Sequence, residues 1–212
     1  VRVNVKVVET IPELEKRLRK ALDDSLNMAT TRAAKPIENK IRSLIRTALE
    51  ATPEYLSLSS GKLKHEFGLP DGANKIRNIV DIWVNNITVT PKTVKLSRGT
   101  TKNMLEISAV RSDYGDVLSA PEATQVTEKG AMLPWLNWLL LQGDRIIIRD
   151  YIVAPGPGRA GELVMRATER GRWRVPPEFA GTARNNFVTR AIDSVSSKFT
   201  KIIEREIVRH LK

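Results

Sequence analysis

From Phe187 to Leu211, apolar side chains recur at Phe187, Val188, Ala191, Ile192, Val195, Phe199, Ile202, Ile203, Ile207 and Leu211. That three-and-four spacing marks one face of a long helix. Arg190, Lys198, Lys201, Glu204, Arg205 and Arg209 fall between them and suit water. A helix this long and this one-sided must lie on an apolar surface, which requires the rest of the chain to supply one. The approach to it is extended, Trp173-Arg-Val-Pro-Pro followed by Phe179 and Gly181-Thr182. Thr182 is the expected N-cap, its hydroxyl accepting an orphan backbone N–H.

The other end of the chain has a matching rod. Residues 1–8 alternate valine with Arg, Asn and Lys, the period-two pattern of a half-buried strand. Thr10-Ile-Pro-Glu13 is a capping box with proline in the first helical turn, where its missing N–H does no harm. An amphipathic helix follows, with Ile11, Leu14, Leu18, Leu22, Met28, Ala29, Ala33, Ile37, Ile41, Leu44, Ile45, Ala48 and Leu49 on one side. Pro36 lies inside that pattern and is expected to kink or split it.

Between the rods the patterns are shorter. Residues 57–63 are expected to be a loop, 75–84 a short helix, and 86–96 a pair of strands about Thr90-Pro91-Lys92. Residues 104–110 and 116–118 continue in β style around Ser112-Asp113-Tyr114-Gly115, and 119–130 is small and polar, a loop. The most apolar passage, 133–143, predicts a short helix begun by Pro134 and stopped by Gly143. Residues 145–153 predict a strand and 162–167 its antiparallel return. The expected fold is α+β: an antiparallel sheet with the long N-terminal and C-terminal helices packed on one face, plus extended loops. The chain is expected to form one domain over 1–212, with a loop and hairpin excursion at about 97–161.

Composition narrows the chemistry. Lys and Arg outnumber Asp and Glu by 35 to 24, a net charge of +11, which suits an acidic partner such as nucleic acid, a solvated surface, or an acidic protein neighbour in an assembly. There is no cysteine, so disulfides and thiolate metal sites are excluded. The longest apolar run falls well short of the roughly 20 residues that span a bilayer, and the start of the chain has no signal-peptide core. A soluble protein made in the cytosol is expected.

Gly156-Pro-Gly158-Arg-Ala-Gly161 matches the dinucleotide fingerprint letter for letter. That chemistry needs a helix opening directly after the loop, with its N-terminus on the pyrophosphate. The continuation from Glu162 reads as a strand instead, so the six residues are expected to form a hairpin tip carrying Arg159. His65 and His210 lie far apart with no acidic cluster, which does not suit a metal site. The pairs Asp113/Asp116 and Asp144/Asp150 fit turns and strand ends. No catalytic constellation stands out, and no cofactor is expected. The aromatic residues stand out more: Trp135 and Trp138 share a helix face, while Trp173 and Phe179 bracket Arg174 and the double proline. Core packing explains them, and so does a subunit interface, where Trp and Arg are typical anchors.

Three passages together resemble the neck and tail-component family of tailed bacteriophages. Ala51-Thr-Pro53 followed by Ser60-Gly61-Lys62-Leu63 matches the family's Ala-Pro loop and Ser/Thr-Gly-x-Leu step. Residues 135–143 occupy the place of its aromatic central passage. Pro177-Glu178-Phe179, then Arg190-Ala191, matches its Pro-x-Phe entry to a C-terminal helix. The chain departs from the family by an enlarged middle, from about 99 to 161, and by lacking the acidic glycine step in the aromatic passage. The resemblance implies a virion structural protein without enzymatic activity, assembled in the host cytoplasm. It also implies a homo-oligomeric ring, expected to be hexameric, among phage neck, connector and tail proteins, with DNA passing through it and no membrane. On this reading Trp135, Trp138, Arg159, Arg172, Trp173, Arg174 and Phe179 are the expected interface residues. The rival reading is a basic, non-specific nucleic-acid-binding protein.

Overall fold

A computed structural model describes residues 10–93, 95, 104–109, 113–127 and 130–211. The strand expected at 1–8 and the first residues, 97–103, of the excursion expected at about 97–161 lie outside these residues. The fold is α+β. Helix α1 runs Ile11–Glu50 and the last helix, α7, runs Phe187–Leu211. Between them lie α2 (Pro53–Ser60), α3 (Lys62–Glu66), α4 (Gly72–Asn86), α5 (Gly115–Leu118) and α6 (Trp135–Leu141). The strands are β1 (Thr88–Pro91), β2 (Leu105–Ser108), β3 (Gln125–Val126), β4 (Met132–Leu133), β5 (Ile148–Gly158) and β6 (Gly161–Trp173). Among the described residues they form three separate two-stranded ribbons, β1–β2, β3–β4 and β5–β6, where sequence patterning pointed to one sheet. No helix among the described residues is long and apolar enough to cross a membrane.

The chain divides into two compact units: residues 1–40, 88–107 and 200–212 form one, and 41–87 with 108–199 the other. Both long helices contribute to each.

In the first unit, α1 opens at its capping box, with the Thr10 backbone N–H donating to Glu13 Oε2 at 2.9 Å. Ala29, Ala33, Ala34 and Ile37 of α1, Val89 of β1 and Ile207 of α7 are buried. Two carboxylates are buried with them, each with a cation. Glu38 accepts from Lys35 Nζ at 2.5 Å and from the Val89 N–H at 3.3 Å. Glu206 accepts from Lys40, and that bond, more than any other cause, holds its carboxyl below the ordinary range. α1 runs through Pro36 without being split; the loss of one backbone bond is outweighed by burial of Ala33, Ala34 and Ile37 around it.

In the second unit, Ile41, Ile45 and Leu49 of α1 are fully buried, as are Leu58, Leu63, Ile76, Ile79, Val80 and Val175. Trp83 of α4 meets Phe187 of α7 edge to face at 5.8 Å. Arg42 covers the end of α4, donating to the carbonyls of Ile87 at 2.7 Å and Asn85 at 2.8 Å, acceptors that the helix itself leaves unpaired. α2 begins at Thr52, whose Oγ1 accepts the Tyr55 N–H at 3.2 Å, with Pro53 at the first helical position. Gly72 is a fixed requirement, because a Cβ there would come within 2.3 Å of the Leu58 carbonyl oxygen.

Residues 57–63, expected as a loop, are helical on both sides of Gly61. Burial of Leu58 and Leu63 overrides the turn preference of their serines. Ser57 Oγ accepts the Leu63 N–H at 2.9 Å and so carries the chain from α2 into α3. Residues 116–118, expected in β style, form one turn of helix. The cap of α7 is Asn186, not Thr182. Asn186 Oδ1 accepts the N–H groups of Val188 at 3.1 Å and Thr189 at 3.2 Å. Its Nδ2 donates to Tyr114 Oη at 2.7 Å and to the Thr182 carbonyl at 2.9 Å. Thr182 serves the turn before it, its Oγ1 accepting the Asn185 N–H at 3.2 Å. Asn186 is fully buried, so Asn186→Ala removes a cap and takes one hydrogen bond from the buried Tyr114 hydroxyl. The expected loss is about 2–3 kcal/mol in urea unfolding, with Asn186→Asp recovering the capping share.

Candidate functional site

Beside the β5–β6 ribbon, the described residues of the second unit line a cavity of about 430 Å³. Its walls include His65, Glu66 and Phe67 from α3 and the residue after it, and Tyr151, Arg159 and Leu163 from the ribbon and its turn. The ribbon pairs Ile148 with Trp173 and Arg149 with Arg172 at its base, and Gly158 with Gly161 at its tip. The glycine-rich hexapeptide is therefore a hairpin turn. No helix opens behind it, so it offers a pyrophosphate no helix N-terminus.

The tip folds back over α3. A Cβ on Gly161, which has φ +131, would come within 2.8 Å of the His65 ring. His65 Nδ1 is buried there without a hydrogen-bond partner among the described residues. Arg159 Nη1 donates to the Val126 carbonyl at 3.0 Å. Glu66 Oε2 accepts the indole N–H of Trp173 at 3.2 Å, while Lys62 stands 3.8 Å from Oε1. Burial pushes the Glu66 carboxyl above its ordinary range, and the Trp173 bond only partly opposes that. The cavity's walls contain no serine or cysteine nucleophile paired with a base, and no group of three metal-ligating side chains occurs among the described residues.

The tryptophans sit inside the unit. Phe67 meets Trp173 at 5.7 Å, and Trp138 meets Trp173 at 5.7 Å, both edge to face. Phe67 also lies 6.3 Å from the rings of Trp135 and Trp138. The Trp135 indole N–H donates to the Glu122 carbonyl at 2.8 Å. Trp135 is fully buried and Trp173 is 5% exposed, so both belong to the chain's own core and present no surface to a neighbour. Of the two readings of these residues, core packing is the one their burial fits. Phe67, far from both in sequence, supplies the ring that Trp135 and Trp173 both pack against. Trp138 and Phe179 are half-buried, and Arg159, Arg172 and Arg174 are exposed.

Two surfaces escaped sequence reading. One is on α1, where the apolar face buried from Ala29 onward continues toward the helix start and is exposed among the described residues. Ile11 is 76% exposed, Leu18 56%, and Leu14 and Leu22 are at least half exposed. The periodicity was visible, but which half of the helix the fold would cover was not. The other is the outer side of β5–β6, where Arg149 joins Arg172; only the strand register brings them together.

No known protein family, curated protein or solved structure matches the chain.

The raised carboxyl makes a test with a definite sign. A carboxyl whose folded pKa lies above its unfolded value costs stability once it is ionised, and the cost vanishes as pH falls below the unfolded value. Glu66→Gln keeps an acceptor for the Trp173 N–H without the charge. It is expected to raise Tm at pH 7, with the gain over wild type fading as the pH is lowered to about 4.

Proposed function

We propose that this chain is a structural subunit that assembles with copies of itself. On the resemblance of residues 51–63 and 177–191, that assembly is the ring at the head–tail junction of a tailed bacteriophage, joining head connector to tail. The observation that carries self-assembly is the uncovered stripe of Ile11, Leu14, Leu18 and Leu22. A contiguous apolar face on a helix whose other half is core marks a contact surface.

The charges flanking the stripe favour a second copy as its cover. Residues 11–24 carry four acids (Glu13, Glu15, Asp23, Asp24) and four bases (Lys16, Arg17, Arg19, Lys20), a net of zero within a chain of +11. Two such chains repel at long range, and a neutral stretch of mixed sign is where they approach at least cost. Four apolar side chains yield about 1.5–3 kcal/mol each when fully buried. Association costs about 4–15 kcal/mol in lost freedom, so one such contact is close to break-even. A closed ring gives every copy two contacts, and closure follows from a heterologous interface of suitable rotation.

Leu14→Asp with Leu18→Asp places charge on the stripe without touching a buried residue. Sedimentation velocity at about 100 µM is expected to show a discrete oligomer for the wild type, with rings in negative-stain micrographs, and a folded monomer for the double variant. A wild-type monomer at that concentration, or an oligomer indifferent to both substitutions, would refute the reading.

A further inference from the structure

The register of β5–β6 sets Arg149 directly opposite Arg172. Along β6 and beyond it, Gly171, Trp173 and Val175 are buried while Arg172 and Arg174 are exposed. That alternation puts Arg174 on the same outer side as Arg172. Arg149 is exposed as well. None of the three hydrogen-bonds or salt-bridges another side chain among the described residues. The neighbouring carboxylates, Asp150 and Glu169, line the groove at the ribbon's bulge together with Arg170 and leave the three arginines unpaired.

Like charges directly opposite each other weaken a β ladder. Here the opposite side of the same ribbon is anchored, with Trp173 edge to face against Phe67 and Trp138. The guanidiniums therefore cannot relieve their repulsion by a slip of register, which would expose Trp173. Three exposed cations held on a fixed two-stranded ribbon present a site suited to a dense polyanion. The guanidinium fork matches phosphate oxygens in pairs, and a two-stranded ribbon is narrow enough for the major groove of a duplex.

We propose that the outer side of β5–β6, through Arg149, Arg172 and Arg174, binds the phosphodiester backbone of duplex nucleic acid without reading its sequence. The proposal goes beyond self-assembly and does not depend on it. The chain's net charge of +11 favours a strong polyanion over a mixed protein surface.

The test is fluorescence anisotropy of a labelled duplex of about 30 base pairs, titrated with full-length protein over a range of salt. The Arg149→Ala, Arg172→Ala, Arg174→Ala variant is expected to bind at least about tenfold more weakly near 0.1 M salt. Its salt dependence should be shallower by about 2.7, the slope for three phosphate contacts. A control that removes the same charge from α7, Lys198→Ala, Lys201→Ala, Arg205→Ala, is expected to lose less than about threefold. Arg149→Glu replaces the facing cations by an opposite pair, so it should raise Tm by about 1–4 °C while weakening binding, which separates the contact from folding. The proposal is overturned if the wild type shows no salt-dependent binding, or if the two alanine triples lose equally. It is also overturned if poly-glutamate binds this face more tightly than the duplex, which would assign it to an acidic protein.

Discussion

The structure depends on one apolar face of α1 that runs further than the other described residues cover. From Ala29 to Leu49 that face is core, with Ala33, Ile37, Ile41 and Leu49 fully buried. From Ile11 to Leu22 the same face meets water. An amphipathic helix holds its shape in water chiefly through what its apolar side packs against. The first three turns are therefore held in place by continuity with the buried half and by the capping box at Thr10. One helix face is thus core along one half and exposed along the other, and the proposed self-assembly rests on the exposed half.

The second unit treats its aromatic residues differently. Phe67, Trp135, Trp138 and Trp173 pack on one another, and each of two indole N–H groups finds an acceptor, a carbonyl in one case and the Glu66 carboxylate in the other. This cluster fixes the base of the β5–β6 ribbon from within. Outward, the same ribbon shows arginine. Trp173 and Arg172 are adjacent in sequence and opposite in role because the strand alternates sides. The rigidity supplied by one makes the charge density of the other persist.

Much of this was legible in the residues. The two long helices followed from three-and-four spacing, α6 from Pro134 and Gly143, and the hairpin from the β-branched run of 146–153 with its glycine-rich turn. The α+β class followed from their order. What could not be read was tertiary. Ser57 and Ser59 look like loop residues until Leu58 and Leu63 are seen to be buried. Thr182 and Asn186 are both good caps locally, and the choice falls to Asn186 because Tyr114, 72 positions away, takes its second hydrogen bond. For Trp135 and Trp173 core packing was the first reading and an interface the alternative, and it is Phe67's position that shows the rings packed together. The facing of Arg149 and Arg172 needed a register that the bulge at Asp150, φ +60, displaces from simple counting.

The central claim is that another copy of the chain covers the start of α1. Hydrogen–deuterium exchange at the amides of residues 14–24, followed from about 1 to 100 µM protein, addresses it directly. The account predicts that these amides become slower to exchange as concentration rises, while those of α4 stay unchanged. Rapid exchange at every concentration, with no difference between dilute and concentrated samples, would contradict it.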